Sequence, residues 1–233
     1  MAASDEDILW FDGATWFMRF DGSDVGVGAV DLDAFYIVDA DTILMSFEKA
    51  VTIGTLAVDD WDIVEFTATS LGDITAGSFS LYFDGNDVGL DTAGEDVDAL
   101  ELLPDGRLLI STLGTPLITE IADPKDEDLF AFTPTSLGDN TSGTWAMYFD
   151  GSDVGLSGGP DVDAADVAAN GDIYLSTDAI VILNGVSPDN EDVFICTPTS
   201  LGDTTACTYA SNLYFDGSVW GLDANDVDAI SLP

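Results

Sequence analysis

EDVDALELLPDGRLLIST, residues 95–112, reads as a β-hairpin: two largely apolar arms flank Asp105-Gly106. An Asp-Gly pair is a strong short-range hairpin signal because both residues tolerate the positive φ of a tight turn. The tetrapeptide that opens the first arm, Asp-(Val/Leu)-Asp-Ala, recurs at Asp31–Ala34, Asp96–Ala99, Asp161–Ala164 and Asp226–Ala229, each 65 residues after the last. Phe-Asp-Gly recurs at Phe20, Phe83, Phe149 and Phe215, and an acidic run before apolar residues is anchored at Asp7, Asp62, Asp128 and Asp192. TPTSLGD stands at 133–139 and 197–203, with TATSLGD at 67–73. Such a period marks a repeat architecture.

Each unit reads as four short strands, here named A (96–103), B (107–112), C (128–134) and D (144–149) after one copy. No window shows a sustained helical period. The pattern predicts an all-β chain, a four-bladed β-propeller of ~65-residue, four-stranded repeats whose last blade lacks one strand. The chain opens on strand C (Ile8–Phe11) and closes on strand A (Val227–Leu232), giving four copies of A, C and D but three of B. With C innermost, a single domain over 1–233 divides into blades 5–55, 56–120, 121–185 and 186–233. This self-contained phase is the expected one. With A innermost, the N-terminal C–D pair must join the C-terminal A strand, leaving a gap where B belongs. Both phases leave an open edge, and an open edge is a template for another strand.

The hairpin of residues 95–112 resembles those of the NHL and YWTD propeller families. The whole unit, including YFDGSDVGL at 148–156, more closely resembles Asp-rich β-propeller repeats of secreted or surface bacterial proteins, over nearly the entire chain. That resemblance implies a fold and an extracellular setting, and no activity.

Charge narrows the partners. Formal net charge is −41, from 45 acidic residues against Arg19, Lys49, Arg107 and Lys125. A nucleic-acid surface needs clustered cations to displace counterions, so nucleic acid is excluded as a partner, and anionic lipid is disfavoured. No apolar run of membrane-spanning length is present, so membrane insertion is not expected. The start, MAASDEDILWF, shows no basic segment followed by an apolar run, so no signal peptide is read there. The 46% hydrophobic content still predicts a folded core. Of the acidic residues 37 are Asp and 8 Glu, which places the charge in turns, caps and possible cation ligands rather than helices.

The aspartates recur at matching positions. Asp5/Asp7, Asp60/Asp62, Asp126/Asp128 and Asn190/Asp192 precede the C strands. Asp31/Asp33, Asp96/Asp98, Asp161/Asp163 and Asp226/Asp228 precede the A strands. In extended backbone, residues two apart share a side, so each pair is expected to present its oxygens together. Four basic residues cannot neutralise so many carboxylates, which leaves backbone caps, protonation or a bound metal such as Ca²⁺. Capping of turns, structural Ca²⁺ on these residues and general adaptation to salt all fit. The last does not explain the regular positions.

Catalytic chemistry is poorly represented. The absence of His removes Ser-His-Asp and Cys-His sites and the usual zinc ligand sets. DGATW (12–16) is similar to part of a sialidase Asp-box but fails the full pattern. Most carboxylates obey the repeat, whereas catalytic groups normally break it. Cys196 and Cys207 occur only in the last unit, across a C–D hairpin from one another. They read as a disulfide or as two buried thiols, and a disulfide places the protein outside the cytoplasm. Recurring aromatics read as packing, whereas Trp61 and Trp220 lack counterparts. The expected function is a non-catalytic, secreted or cell-surface structural or interaction module that forms a homo-oligomer or filament through edge strands. A Ca²⁺-dependent glycan-binding propeller and an acidic glycoside hydrolase or lyase are the alternatives.

Overall fold

The structure, a computed structural model, describes residues 3–232. It is all-β. A short hairpin, β1 (Ile8–Phe11) and β2 (Trp16–Phe20), comes first. Three four-stranded antiparallel sheets follow. The first sheet places β3 (Leu32–Ile37), β4 (Thr42–Phe47), β7 (Ile63–Ser70) and β8 (Ala76–Phe83) side by side, in the order A-B-C-D. A small hairpin, β5 (Val51–Ile53) and β6 (Leu56–Val58), interrupts its B–C connection. The second sheet orders β9 (Ala99–Leu102), β10 (Leu108–Ser111), β11 (Leu129–Ser136) and β12 (Ser142–Phe149) in the same way. The third repeats it with β13 (Ala164–Val167), β14 (Ile173–Ser176), β15 (Phe194–Ser200) and β16 (Ala206–Tyr209). The β9–β10 turn is the expected one. Leu103 N–H donates to the Arg107 carbonyl and Gly106 takes φ +88°, a conformation open to glycine without strain.

The sheets correct the expected phase. The hydrogen-bonded units run from A to D, over 32–83, 99–149 and 164–209, and not from C to B. The strands that meet between sheets are the A strands: β9 lies beside both β3 and β13. Their close approach follows from the small residue that ends the tetrapeptide, since Ala34, Ala99 and Ala164 are all buried. Residues 226–232, the fourth A copy, join no ladder but sit between β13 and β3. Leu232 N–H donates to Asp166 Oδ2, and Ile37 N–H donates to the Ser231 hydroxyl.

One backbone bond joins each group of strands to the next. Val97 N–H donates to Asp60 O (3.2 Å), Val162 N–H to Asp126 O (3.4 Å), Val227 N–H to Asn190 O (3.0 Å) and Leu32 N–H to Asp5 O (3.1 Å). The last of these ties β1–β2 to the first sheet. A second link lies at the rim. Gly72, Gly138 and Gly202, each in a C–D turn, donate N–H to Arg19, Tyr82 and Tyr148 in the D strand of the preceding group. Thr75, Thr141 and Thr205 accept the N–H of Asp21, Asp84 and Asp150 beside them. The β1–β2 turn is too short to make this link. There the junction is aromatic: Phe11 lies 5.9 Å from Phe215 and 4.7 Å from Trp220 between ring centroids.

Apolar burial follows the same repeat. Phe20 packs edge-on against Phe66 at 5.1 Å and Phe83 against Phe132 at 5.2 Å, closing the seams between groups. The three B strands are almost wholly buried, as expected for strands with neighbours on both sides. Among the described residues no helix is long and apolar enough to cross a membrane.

Candidate functional site

The acidic pairs before the C strands do not present their oxygens together. Residues 5–6, 60–61, 126–127 and 190–191 form turns, so the period-two reasoning that holds for extended backbone fails there. The second aspartate of each pair is a cap. Asp7 accepts from Ser4 and Gly22 N–H, and Asp62 from Asp59 and Gly85. Asp128 accepts from Lys125 and Gly151, and Asp192 from Asp189 and Gly217. Each carboxylate thus closes its own turn with one oxygen and with the other holds the Phe-Asp-Gly turn at the end of the D strand. Burial pushes the Asp62 and Asp128 carboxyls up to about 6 against the pull of these donors. Asp5, Asp60 and Asp126 contribute their backbone carbonyls to the junctions, and their charges bear on the A-strand aspartates Asp31, Asp96 and Asp161.

The aspartates before the A strands are of another kind. They come together because the A strands do. The Asp33 and Asp96 carboxyls approach within hydrogen-bonding reach, as do those of Asp98 and Asp161, and the charges of Asp226 and Asp228 bear on Asp163. Asp96, Asp98, Asp161 and Asp163 are at most 7% exposed, Asp31 and Asp33 are half-buried, and Asp226 and Asp228 are open to solvent. Six buried oxygens in this set have no hydrogen-bond donor: Asp96 Oδ1, both of Asp98, Asp161 Oδ1 and both of Asp163. Every buried carboxylate oxygen left without a partner among the described residues belongs to this motif.

Burial first, and neighbouring carboxylates second, raise these groups. Asp33 is pushed up to about 7, Asp96 and Asp161 to about 8, and Asp98 and Asp163 well above the carboxylate range. No basic side chain forms an ion pair with the set. Lys49 pairs with Glu48, Arg107 with Asp105 and Lys125 with Asp123, while Arg19 donates to the Ala40 carbonyl. Among the described residues no three carboxylates are gathered closely enough to hold a metal ion as they stand.

Three residues further along each A strand lies a second set of side chains: Tyr36, Glu101, Asp166 and Ser231. Glu101 accepts from Val167 N–H and Asp166 from Leu232 N–H, each reaching across to the next group. Sequence reasoning missed this set because its four members differ in type. Its signal is a polar side chain at constant spacing after the tetrapeptide, buried at Glu101 and Asp166 and half-buried at Tyr36 and Ser231. Burial, reinforced by Asp166 and opposed by the Val167 N–H, pushes Glu101 up to about 8. The folded chain therefore holds this proton at a pH where the unfolded chain has lost it. The resulting stability is complete below the ordinary glutamate value and is lost as pH rises through 8. Thermal midpoints measured in EDTA should rise as pH falls from 8 to 5, and Glu101→Gln, which keeps an acceptor for Val167, should flatten part of that slope. An unchanged slope in the variant would remove Glu101 as a contributor.

Cys196 and Cys207 form a disulfide across β15–β16, with Cα atoms 5.7 Å apart. The two unmatched tryptophans do not form one platform. Trp61 packs against the core shared by the first and second sheets, while Trp220 meets Phe11 edge-on.

No family model matches the chain, and no curated protein matches it. Two solved structures are similar over 89% of its length. One is the extracellular domain of a one-component system from B. thetaiotaomicron, with TM-score 0.36 and 12% identity, 31% of that chain being covered. The other is the extracellular domain of a hybrid two-component system from the same organism, with TM-score 0.31 and 12% identity, 36% being covered. The chain spans about a third of the length of each.

Proposed function

We propose that the chain is a non-catalytic extracellular interaction module, a four-bladed β-propeller that engages its partner by accepting a β-strand into its fourth blade. Residues 226–232, β1 and β2 make up that blade as its A, C and D strands, in the sector between the third sheet and the first. The observation that carries this reading is the free edge of β1, which among the described strands pairs with β2 alone. In the three complete sheets the B strand is enclosed between A and C. In the fourth group no described strand pairs with β1 on that side, and both flanking segments are more open than their counterparts. Trp10 is 56% exposed, Leu9 and Phe11 are half-buried, and Asp228 is exposed where Asp98 and Asp163 are buried. Backbone groups along such a gap lack partners, which is the condition for strand addition.

The three resident B strands define what fits. Each offers three apolar or aromatic residues and then serine: Ile43–Ser46, Leu108–Ser111 and Ile173–Ser176. The serine is specific. Ser46, Ser111 and Ser176 donate to the carbonyls of Asp62, Asp128 and Asp192, bonds that Asp7 has no resident serine to make. An extracellular setting agrees with the disulfide, and a non-catalytic role agrees with the lack of His and with carboxylates committed to caps.

A peptide carrying residues 105–112, DGRLLIST, should bind with a shift in tryptophan fluorescence and a raised thermal midpoint, whereas a peptide with proline at the Leu109 position should not. Light scattering on the chain alone distinguishes the donor: a concentration-dependent oligomer that the peptide dissolves identifies a second copy. No binding at millimolar peptide would sink the proposal.

A further inference from the structure

We propose that the A-strand aspartates bind one hard divalent cation, Ca²⁺ in type, centred on Asp98 and Asp161 with Asp96 and Asp163 as the further carboxylates. The geometry points there for two independent reasons. The four side chains come from two neighbouring A strands, and the Asp98 and Asp161 carboxyls face each other within hydrogen-bonding reach with no donor between them. Separately, all six unpartnered carboxylate oxygens of the buried set are theirs, and Asp98, 97% buried, has neither oxygen satisfied.

A buried polar atom with no partner costs free energy, and a charged one costs more. A buried carboxyl must either keep its proton or, once ionised, meet a counter-charge, and the basic side chains of the protein pair elsewhere. By contrast, the cap aspartates Asp7, Asp62, Asp128 and Asp192 each have two backbone donors and need nothing further. The same residue type at the same periodicity thus divides into a satisfied set and an unsatisfied set.

The ligand class follows from the donors. All are oxygens, with no His or thiolate among them, which suits Ca²⁺ with its 6–8 oxygen ligands and tolerance of irregular geometry. Two facing carboxylates supply up to four of these. Small rotations of Asp96 and Asp163 and water supply the rest, since no three carboxylates converge before an ion is present.

The test is Ca²⁺ titration of the whole chain by calorimetry and thermal melting, at constant ionic strength and pH 7.5, against EGTA. The expected result is one ion per chain and a midpoint raised by roughly 5–10 °C at a hundredfold excess over Kd. Asp98→Asn and Asp161→Asn should each abolish saturable binding while melting no lower than the wild type in EGTA, because the amide keeps the shape of a carboxyl whose ionisation is already disfavoured there. Asp73→Asn, an exposed position, should leave binding intact and controls for general charge screening. Absence of saturable heat up to 10 mM Ca²⁺ (about tenfold above the weakest site affinities), or full binding by both buried variants, would overturn the proposal. In that case the pairs are held by shared protons, which a midpoint rising with acid but indifferent to Ca²⁺ would register.

Discussion

Asp128→Ala should cost the protein about 2–4 kcal/mol, read from the shift in urea midpoint at unchanged slope. The Asp128 carboxylate accepts Gly151 N–H at 2.9 Å and Lys125 N–H at 3.0 Å, and its side chain is buried. Alanine leaves both donors without a partner, and each buried orphan costs about 1–3 kcal/mol. Relief from burying a carboxyl whose ionisation is already disfavoured offsets part of the loss. Asp128→Asn keeps an acceptor for one donor while its amide opposes the other, so about half of the loss should remain. Asp62→Ala and Asp192→Ala should behave alike, because the same pair of bonds recurs there. A change below about 0.5 kcal/mol in Asp128→Ala, the range of an ordinary surface substitution, would show that the caps are incidental to folding.

A second large effect is expected at the disulfide. Cys196 pairs with Tyr209 as Phe66 does with Phe79 and Phe132 with Trp145. Cys207 likewise takes the place of Gly77 and Gly143. In those two sheets a phenylalanine ring covers the glycine so closely that a Cβ on Gly77 or Gly143 would lie 2.4 Å from the ring edge. The third sheet therefore exchanges a Phe–Gly pair for a Cys–Cys pair in the same space. In reducing buffer, which removes the covalent contribution, Cys196→Phe alone should lose about 1–3 kcal/mol through overpacking against the Cys207 side chain. Adding Cys207→Gly should restore reduced wild-type stability or exceed it, a strong departure from additivity. In oxidising buffer the wild type should lead again by about 2–3 kcal/mol. If the double variant were no better than the single one, the two sites would not be equivalent.

The sequence made some of this legible and hid the rest for identifiable reasons. The A–B turns, the strand types and the opening strand Ile8–Phe11 follow from turn chemistry and apolar runs, which are local. Strand phase is not local. A chain that visits four similar groups reads equally well from any starting strand, and only contacts such as Ser231 with Ile37 choose between the readings. The expected pairing of Asp60 with Asp62 failed because a turn, not a strand, separates them. The division of the aspartates into capped and uncapped sets depends on which backbone N–H groups lie within reach, and that is set by the junctions. Tyr209 shows the same limit. Its hydroxyl donates to Val154 O just as the Trp145 indole donates to Val88 O, an equivalence that two different side chains conceal.

The hairpin β1–β2 leaves the ribosome before the other described strands, yet the aromatic neighbours of Phe11, Phe215 and Trp220, follow all three sheets. Translation therefore delivers three finished sheets while Phe11 still waits for these neighbours. Contacts of such long sequence separation form late and slowly. A nascent chain released before Phe215 would carry an uncovered aromatic hairpin, the kind of surface that chaperones recognise and that aggregates when they do not.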